Sequence, residues 1–445
     1  MLPVIALVGR PNVGKSTLFN SLTRTRDALV HNQPGLTRDR LYGQVKREGE
    51  VRALVVDTGG LGDDSIFAES IDAQVQMVLR EADEILFILD FADGISPRDE
   101  EIALMLRKAG KPIHAIVNKS EGVDSSMAVA DFQRLGGVES VWPISAKRGD
   151  RVELLLESLL NRYPAPIYDD ADGRIRIAII GRPNVGKSTL INALVGEERV
   201  IVLDQPGTTR DSVLIPFEKG KHRFDLVDTA GMRRKKTISD TIEQFSVVKT
   251  IQAIERANVC ILMLDGQREP GDQDAALAGM VETRGRSIMV VINKWDNLES
   301  YQRKRFLDKL DRRFPFLPTH ETIKISALHG TAVGDVLPAA VRAYNSAMKE
   351  FTTSDLNRRL EKAVEAQAPP MHGGNAIKLK FAHQEDTNPP SIVIRGNRLE
   401  HISPTYTRYL TNYLQSSYKL VGTRVNITYK TEDNPYAGRK RSKHR

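Results

Sequence analysis

The sequence predicts an α/β chain: two tandem domains, each a mainly parallel sheet with helices on both faces, followed by a smaller α+β domain. Three observations predict this. A set of motifs occurs twice in the same order. Short apolar runs alternate with longer amphipathic stretches inside each copy. The last fifth of the chain differs from the rest in charge and in the order of its elements.

The duplication is explicit. G-R-P-N-V-G-K-S-T-L at Gly9–Leu18 returns at Gly181–Leu190, 172 residues later. Q-P-G-L-T-R-D at 33–39 returns as Q-P-G-T-T-R-D at 205–211, and V-V-D-T-G-G at 55–60 as L-V-D-T-A-G at 226–231. N-K-S-E at 118–121 returns as N-K-W-D at 293–296, and I-S-A-K at 144–147 as I-S-A-L at 325–328. Order is kept while spacing drifts, which marks a duplicated domain and not a short-period solenoid. In the first copy V-I-A-L-V, A-L-V-V-D, E-I-L-F-I-L-D and I-H-A-I-V-N read as strands buried on both faces. The proline-bearing, acidic stretch 161–174 reads as a connection, and the second copy is expected to end in a helix near 336–350. The expected domains are 1–162, 175–350 and 351–432, with a linker at 163–174 and a basic tail at 433–445.

The 445 residues suit about three domains at ~150 residues each. No apolar run of about 18 residues occurs, so no membrane span is expected. The opening M-L-P-V-I-A-L-V-G-R lacks a basic leader and a small-residue cleavage site, and reads as a first strand. The single cysteine, Cys260, excludes an intrachain disulfide, fits a reducing, cytoplasmic compartment and is expected to be a core thiol. Residues 351–445 hold 16 Lys and Arg against 8 Asp and Glu, whereas the first 350 hold 48 against 49. A basic excess so localised points to a polyanionic partner. A solvated tail is the plainer alternative.

G-x-x-x-x-G-K-S between a strand and a helix is a phosphate-binding loop. The candidates are Gly9, Arg10, Pro11, Asn12, Val13, Gly14, Lys15, Ser16 and Thr17, and again Gly181, Arg182, Pro183, Asn184, Val185, Gly186, Lys187, Ser188 and Thr189. The glycines let backbone N–H groups face phosphate, and the helix adds its positive N-terminal end. Lys15 and Lys187 should reach the β/γ-phosphates, while Ser16 and Ser188 should ligate Mg²⁺. Asp57 and Asp228 should face that metal from strand ends, in Asp57-Thr58-Gly59-Gly60 and Asp228-Thr229-Ala230-Gly231. Gly60 and Gly231 can offer an N–H to the γ-phosphate. Thr37 and Thr209 should complete the metal shell only with triphosphate bound, the usual order–disorder logic of a switch.

N-K-W-D identifies the base. An aspartate accepting two hydrogen bonds from guanine leaves a buried acceptor unpaired when adenine enters, which disfavours an ATPase. The second set is Asn293, Lys294, Trp295 and Asp296 with Ser326 and Ala327. The first is Asn118, Lys119, Ser120 and Glu121 with Ser145 and Ala146. Asn293 is expected at the base edge, Lys294 over the ring, and the Ser326-Ala327 backbone on the guanine oxygen. Glu121 stands where aspartate is expected, and its carboxylate reaches one methylene further. After D-x-x-G come Leu61 and Met232, which cannot orient water, so slow intrinsic turnover is expected. Asn12 and Asn184 either help hold a monovalent cation against the phosphates or only brace their loops. The candidate catalytic residues are Asn12, Lys15, Thr37, Asn184, Lys187 and Thr209.

Taken together, the doubled loops, D-T-G-G, D-T-A-G and N-K-W-D resemble the EngA/Der family of bacterial GTPases. K-L-K-F-A-H-Q, N-P-P-S-I-V-I and R-Y-L-T-N-Y-L are similar to that family's C-terminal KH-like domain, so the resemblance covers essentially the whole chain. It implies two P-loop GTPase domains binding GTP/GDP with Mg²⁺, and stimulation by K⁺ through Asn12 and Asn184. It also implies action in assembly or stability of the large ribosomal subunit, through rRNA and ribosomal proteins. No membrane partner is implied, and a monomer is the default. Glu121 and Leu328 depart from the pattern. Two other classes stay open: a binding module in which hydrolysis is incidental, and an RNA-modifying or membrane-associated GTPase.

After residue 350 the order reads helix, strand, strand, helix, strand. No glycine there is followed by another three residues on, so the G-x-x-G clamp of ordinary KH domains is missing. Tyr406, Tyr409 and Tyr413 share a helical face and are expected in the core. G-R-K-R-S-K-H-R reads as a tail for phosphate backbone, and M-R-R-K-K-T at 232–237 as a basic segment beside the second switch motif.

Overall fold

The computed structural model describes residues 2–23, 41–47, 50–58, 78–124, 129–164, 173–196, 214–227, 247–314, 320–372 and 374–431. It forms two compact units, Met1–Asp169 and Asp170–Arg445.

In the first unit the strands are Val4–Val8 (β1), Leu41–Arg47 (β2), Glu50–Asp57 (β3), Glu84–Asp90 (β4), Ile113–Asn118 (β5) and Ser140–Pro143 (β6). Their order is β2-β3-β1-β4-β5-β6, parallel except for the β2–β3 pair. β1, β4 and β5 are buried at every position, as a sheet covered on both faces requires. Among the described residues its helices include Lys15–Thr23 (α1) and Pro97–Lys108 (α2), which lie between strands, and Val152–Leu160 (α3), which follows β6. Leu18, Phe19 and Leu22 of α1 and Leu155, Leu156 and Leu159 of α3 close one face over Ile5, Leu7 and Val55. α2 starts sharply because Ser96 caps it, Asp99 completes a capping box and Pro97 fills the first turn.

The second unit repeats the plan. Ile175–Ile180 (β7), Ile215–Lys219 (β8), His222–Val227 (β9), Val259–Asp265 (β10), Ser287–Asn293 (β11) and Thr322–Lys324 (β12) form the order β12-β11-β10-β7-β9-β8. Its helices are Lys187–Val195 (α4), Val247–Arg256 (α5), Asp272–Thr283 (α6), Ser300–Arg313 (α7) and Val336–Ala347 (α8). The strands read from sequence are present. The antiparallel edge strands β2 and β8 carry no continuous apolar run, which is why the sequence reading passed over them. Cys260 is fully buried in β10, and burial pushes its thiol up to about 12.

The C-terminal layer follows the expected helix, strand, strand, helix, strand order: Thr353–Ala366 (α9), Lys378–Asp386 (β13), Ser391–Asn397 (β14), Pro404–Tyr418 (α10) and Asn426–Thr431 (β15). β13 and β14 are antiparallel, β14 and β15 parallel. The three tyrosines of α10 do pack inward. The Tyr406 hydroxyl donates to the Gln367 carbonyl and that of Tyr409 to Ala363, each at 2.8 Å.

This layer is joined to the second sheet. The Ile288 N–H of β11 donates to the Gly422 carbonyl at 2.7 Å, and the Asn388 N–H to Ala347 at the end of α8 at 2.9 Å. Gly422 has φ +68°, and a β-carbon there would sit 2.9 Å from both Ala343 and the Ile288 carbonyl. Only glycine permits so close an approach in that conformation.

Candidate functional site

Each phosphate loop springs from a buried central strand and ends in a helix. Asn12 and Asn184 take left-handed backbone at φ 65° and 63°, which asparagine tolerates better than most residues. Gly14 and Gly186 lie at φ +98° and +100°, where a β-carbon would meet the Asn118 or Asn293 amide at 2.3 Å. The Lys15 ammonium curls back to the Gly9 and Arg10 carbonyls at 2.9 and 2.7 Å. Lys187 does the same with Gly181 and Arg182 at 3.1 and 2.9 Å. Each lysine thus lies in the hollow of its own loop. Burial lowers the Lys15 pKa, and nearby Asp57 pulls against that shift. Ser16 Oγ donates to Asp57 Oδ2 at 3.2 Å, so the hydroxyl and carboxylate meet across α1 and β3. Among the described residues no group of three or more His, Cys, Asp or Glu could hold a metal. A site of one hydroxyl, one carboxylate and phosphate oxygens is the kind Mg²⁺ uses.

Asn118 and Asn293 tie the base-recognition strands to their phosphate loops. The Asn118 amide donates to the Val13 carbonyl at 2.8 Å and accepts from the Ala146 N–H at 2.9 Å. Asn293 does likewise with Val185 and Ala327, at the same distances. The side chain bridges three segments because its strand end sits between the two loops. The Ala327 N–H expected on the guanine oxygen is directed at Asn293. The Ser120 hydroxyl donates to the Ile144 carbonyl at 2.9 Å. Trp295 packs edge-on against Phe306, with ring centroids 6.1 Å apart. The Thr58 hydroxyl donates to the Leu7 carbonyl of β1 at 2.8 Å. Val13 and Val185 are buried beneath their loops, while Pro11, Thr17 and Thr189 are exposed and Pro183 is partly so.

The side chains of the phosphate-loop residues Arg10 and Arg182 reach acids beyond the loop. Arg10 Nε lies 3.2 Å from Asp99 and its Nη2 3.0 Å from Asp93. Arg182 Nη2 lies 2.8 Å from Asp274. Asp99 and Asp274 are 0% exposed at the third positions of α2 and α6, so each loop is pinned to the next helix. Burial raises the Asp274 pKa against the pull of its backbone bond and Arg182. The same pairing in both copies was the signal available in the sequence.

Two further carboxylates were missed. Lys119 Nζ lies 2.6 Å from Asp90 Oδ2 at the end of β4. Lys294 Nζ lies 2.7 Å from Asp265 Oδ2 at the end of β10, and 3.2 Å from the Asn184 carbonyl. Each carboxylate is fixed in turn by the backbone N–H two residues on, Ala92 or Gln267, at 3.0 Å. In the first base loop the Ser145 hydroxyl donates to Glu121 Oε1 at 2.5 Å, which holds the carboxyl below its ordinary range. In the second, Asp296 faces His329 Nε2 at 3.6 Å. Thr37, Gly59, Gly60, Thr209, Asp228, Thr229, Ala230 and Gly231 lie outside the described residues, as do Leu61, Met232, the 232–237 segment and the 433–445 tail.

What repeats is the nucleotide machinery as well as the fold, which makes this a P-loop nucleotide-hydrolase chain with two guanine-type sites. The model of the 50S ribosome-binding GTPases matches residues 4–119 and 176–294. That of the KH-domain-like C-terminal domain of EngA bacterial GTPases matches 351–430. Among curated relatives, the GTPase Der of Aromatoleum aromaticum is 47% identical over 99% of this chain and 100% of its own. That of Azoarcus sp. is 48% identical over 98% and 99%, and that of Thioalkalivibrio sulfidiphilus 48% over 99% and 96%. The chain belongs to the EngA/Der family of bacterial GTPases and is a GTP-binding, GTP-hydrolysing switch protein. Among the described residues no helix is long and apolar enough to cross a membrane.

Proposed function

We propose that this GTPase acts in assembly or stability of the large ribosomal subunit, its two G domains timing the engagement of the basic C-terminal domain with rRNA or ribosomal protein. The observation that carries the reading is the chain-long match to ribosome-linked tandem GTPases, together with a C-terminal region of 16 basic against 8 acidic residues. The working domains are 1–162, 175–350 and 351–432, joined by 163–174 and followed by a basic tail at 433–445.

In each site the lysine of the phosphate loop serves the β/γ-phosphates, and Mg²⁺ is held by Ser16 with Asp57, or Ser188 with Asp228, joined by Thr37 or Thr209 in the triphosphate state. When bound there, the ion would supply charge neutralisation to the phosphate oxygens. Glu121 and Asp296 select guanine, and Lys119 and Lys294 lay their alkyl chains along the base while their ammonium groups rest on Asp90 and Asp265. Leu61 and Met232 leave attacking water unoriented, so intrinsic turnover is slow. Asn12 and Asn184, exposed at the loop crests, hold the K⁺ that stimulates it. The protein works as a cytoplasmic monomer.

The test is co-sedimentation with ribosomal subunits, in GDP and in a non-hydrolysable GTP analogue, at fixed salt. Analogue-dependent binding to the large subunit is expected. No subunit preference in either nucleotide would remove the assembly reading. Stimulation of phosphate release by K⁺ but not Na⁺, lost in Asn12→Ala or Asn184→Ala, is the matching test of the cation.

A further inference from the structure

We propose that Glu269 is a positioning residue of the second nucleotide site. It ties the loop beside the phosphate-loop arginine, Arg182, to the cationic helix α7, a brace that the first site lacks. The inference rests on the reading of 181–189 as the second phosphate loop.

The two copies hold the phosphate-loop arginine differently. Asp90 and Asp265, like Asp99 and Asp274, stand 175 residues apart, so the loops between them are in register. In the first copy Arg10 meets two carboxylates, Asp99 at 3.2 Å and Asp93 at 3.0 Å. The second copy has Arg268 where the first has Asp93, and Glu269 where it has Gly94. Arg182 keeps the buried Asp274 at 2.8 Å, and its Nη2 also donates to the Glu269 backbone carbonyl at 3.4 Å.

That carbonyl is neutral and lies on a loop, so its position depends on what fixes the loop. The Glu269 side chain does this. Its Oε1 lies 2.9 Å from Arg305 Nη2, and its Oε2 pairs with Lys309. Three residues on, Asp272 pairs with Arg313. Hydrogen bonding from Lys309, with the charges of Lys309 and Arg305, holds the Glu269 carboxyl below its ordinary range. α7 is itself firmly seated. Phe306 and Leu310 are buried, the Phe306 ring meets Trp295 edge-on, and Arg303 Nη2 donates to the Trp295 carbonyl at 3.3 Å. The helix therefore reaches the base loop through its first turn and the 266–272 loop through the turns that follow. In the first unit the one acid of the 91–98 loop is Asp93, and no described cation from beyond the phosphate loop pairs with it.

Exposed ion pairs add little to stability, and α7 has its apolar contacts to hold it. The consequence of these pairs is local. They fix the carbonyl that Arg182 meets, and the carbonyl of Arg182 accepts in turn from Lys187 at 2.9 Å. Glu269 and Arg305 are more than half exposed, so salt weakens this brace far more than it weakens the contact with buried Asp274.

The experiment is release of a fluorescent GDP, followed by stopped flow in low and high salt, from the full chain carrying Lys15→Ala so that only the second site binds. Glu269→Ala should speed release about threefold in low salt, the scale of an exposed ion pair. High salt should speed release from the parent by a similar factor, and from Glu269→Ala by much less. Arg305→Ala with Lys309→Ala should reproduce the Glu269→Ala rate and add nothing to it. With Arg182→Ala in place, Glu269→Ala should have no further effect. Release from the first site, measured in a Lys187→Ala chain, and the thermal midpoint should not respond to Glu269→Ala. Unaltered release in Glu269→Ala, an equal salt response in variant and parent, or an effect that persists without the Arg182 side chain would overturn the proposal and leave the phosphate loop in place. Failure of the Lys15→Ala chain to bind GDP at all would remove the phosphate-loop reading, and the proposal with it.

Discussion

At the phosphate end of the two sheets, Lys15 and Lys187 reach equivalent pairs of carbonyls, and Asn118 and Asn293 tie equivalent pairs of loops. At the opposite end the copies part. β4 opens with Glu84, about 1% exposed, which accepts from the Tyr163 hydroxyl at 2.7 Å and lies 2.8 Å from His114 Nε2. Arg162 reaches the same carboxylate at 3.4 Å. In the second copy the corresponding positions are Val259 and Met289, both buried and apolar. There β11 instead bonds Gly422, and Arg284 is buried against Glu255 at 2.9 Å. Phosphate and base chemistry leave little latitude, so one end is copied. The other end never meets nucleotide. One copy uses it to fix the start of the 163–174 connection, the other to seat the C-terminal layer.

The sharpest way to break this equivalence is at the loop glycines. Gly14→Ala and Gly186→Ala should each abolish one site, a loss on the order of 100-fold or more, from left-handed strain of roughly 3 kcal/mol plus the clash with the asparagine amide. Titration with a fluorescent GDP should fall from two sites to one in either variant. Loss of both sites at once would mean they are not independent.

Glu84→Gln tests the divergent ends. Breaking a buried charged network costs about 3 kcal/mol. The thermal transition of the first unit should drop by several degrees, while both GDP affinities stay put. The pH dependence has a definite sign. Burial alone would raise the Glu84 pKa, but hydrogen bonds from His114 and Tyr163 and the charge of Arg162 more than offset it, so the carboxyl lies below its ordinary value. Its contribution is therefore present above the unfolded carboxylate pKa and is lost as pH falls through the folded one. Glu84→Gln should flatten that acid limb, and an unchanged limb would place its origin elsewhere.

Asp90→Asn and Asp265→Asn should weaken GDP about tenfold, the scale of a charge-assisted hydrogen bond worth roughly 1.5 kcal/mol. Neither should add to Lys119→Met or Lys294→Met in a double-mutant cycle. The effect should be larger for Asp90, because Lys294 also holds the Asn184 carbonyl. Additive losses would show that the carboxylates do not act through the lysines. The smallest effect is expected from Ser145→Ala, about threefold at the first site only, by freeing the longer Glu121 carboxylate. No change at either site would leave the Ser145–Glu121 bond without a role in guanine affinity.

Much of this could be read directly. Gly14, Lys15 and Ser16 are contiguous, so chemistry that needs them together shows as a motif, and duplication doubles the signal. Strands buried on both faces announced themselves as apolar runs, while β2 and β8, half-polar edges, did not. The structural partners of Asn293 and Arg10 were not legible, for one reason. Asn293 bonds a carbonyl 108 residues away, and Arg10 pairs with Asp99 on a different helix.

The sequence by itself therefore determined the two nucleotide sites, the family and the basic character of the C-terminal region, because these rest on local residue types in fixed spacing. Only the tertiary structure decided which buried carboxylates position the lysines, where each sheet attaches its neighbour, and which acids α7 meets. Those depend on side chains brought together by packing across many intervening residues.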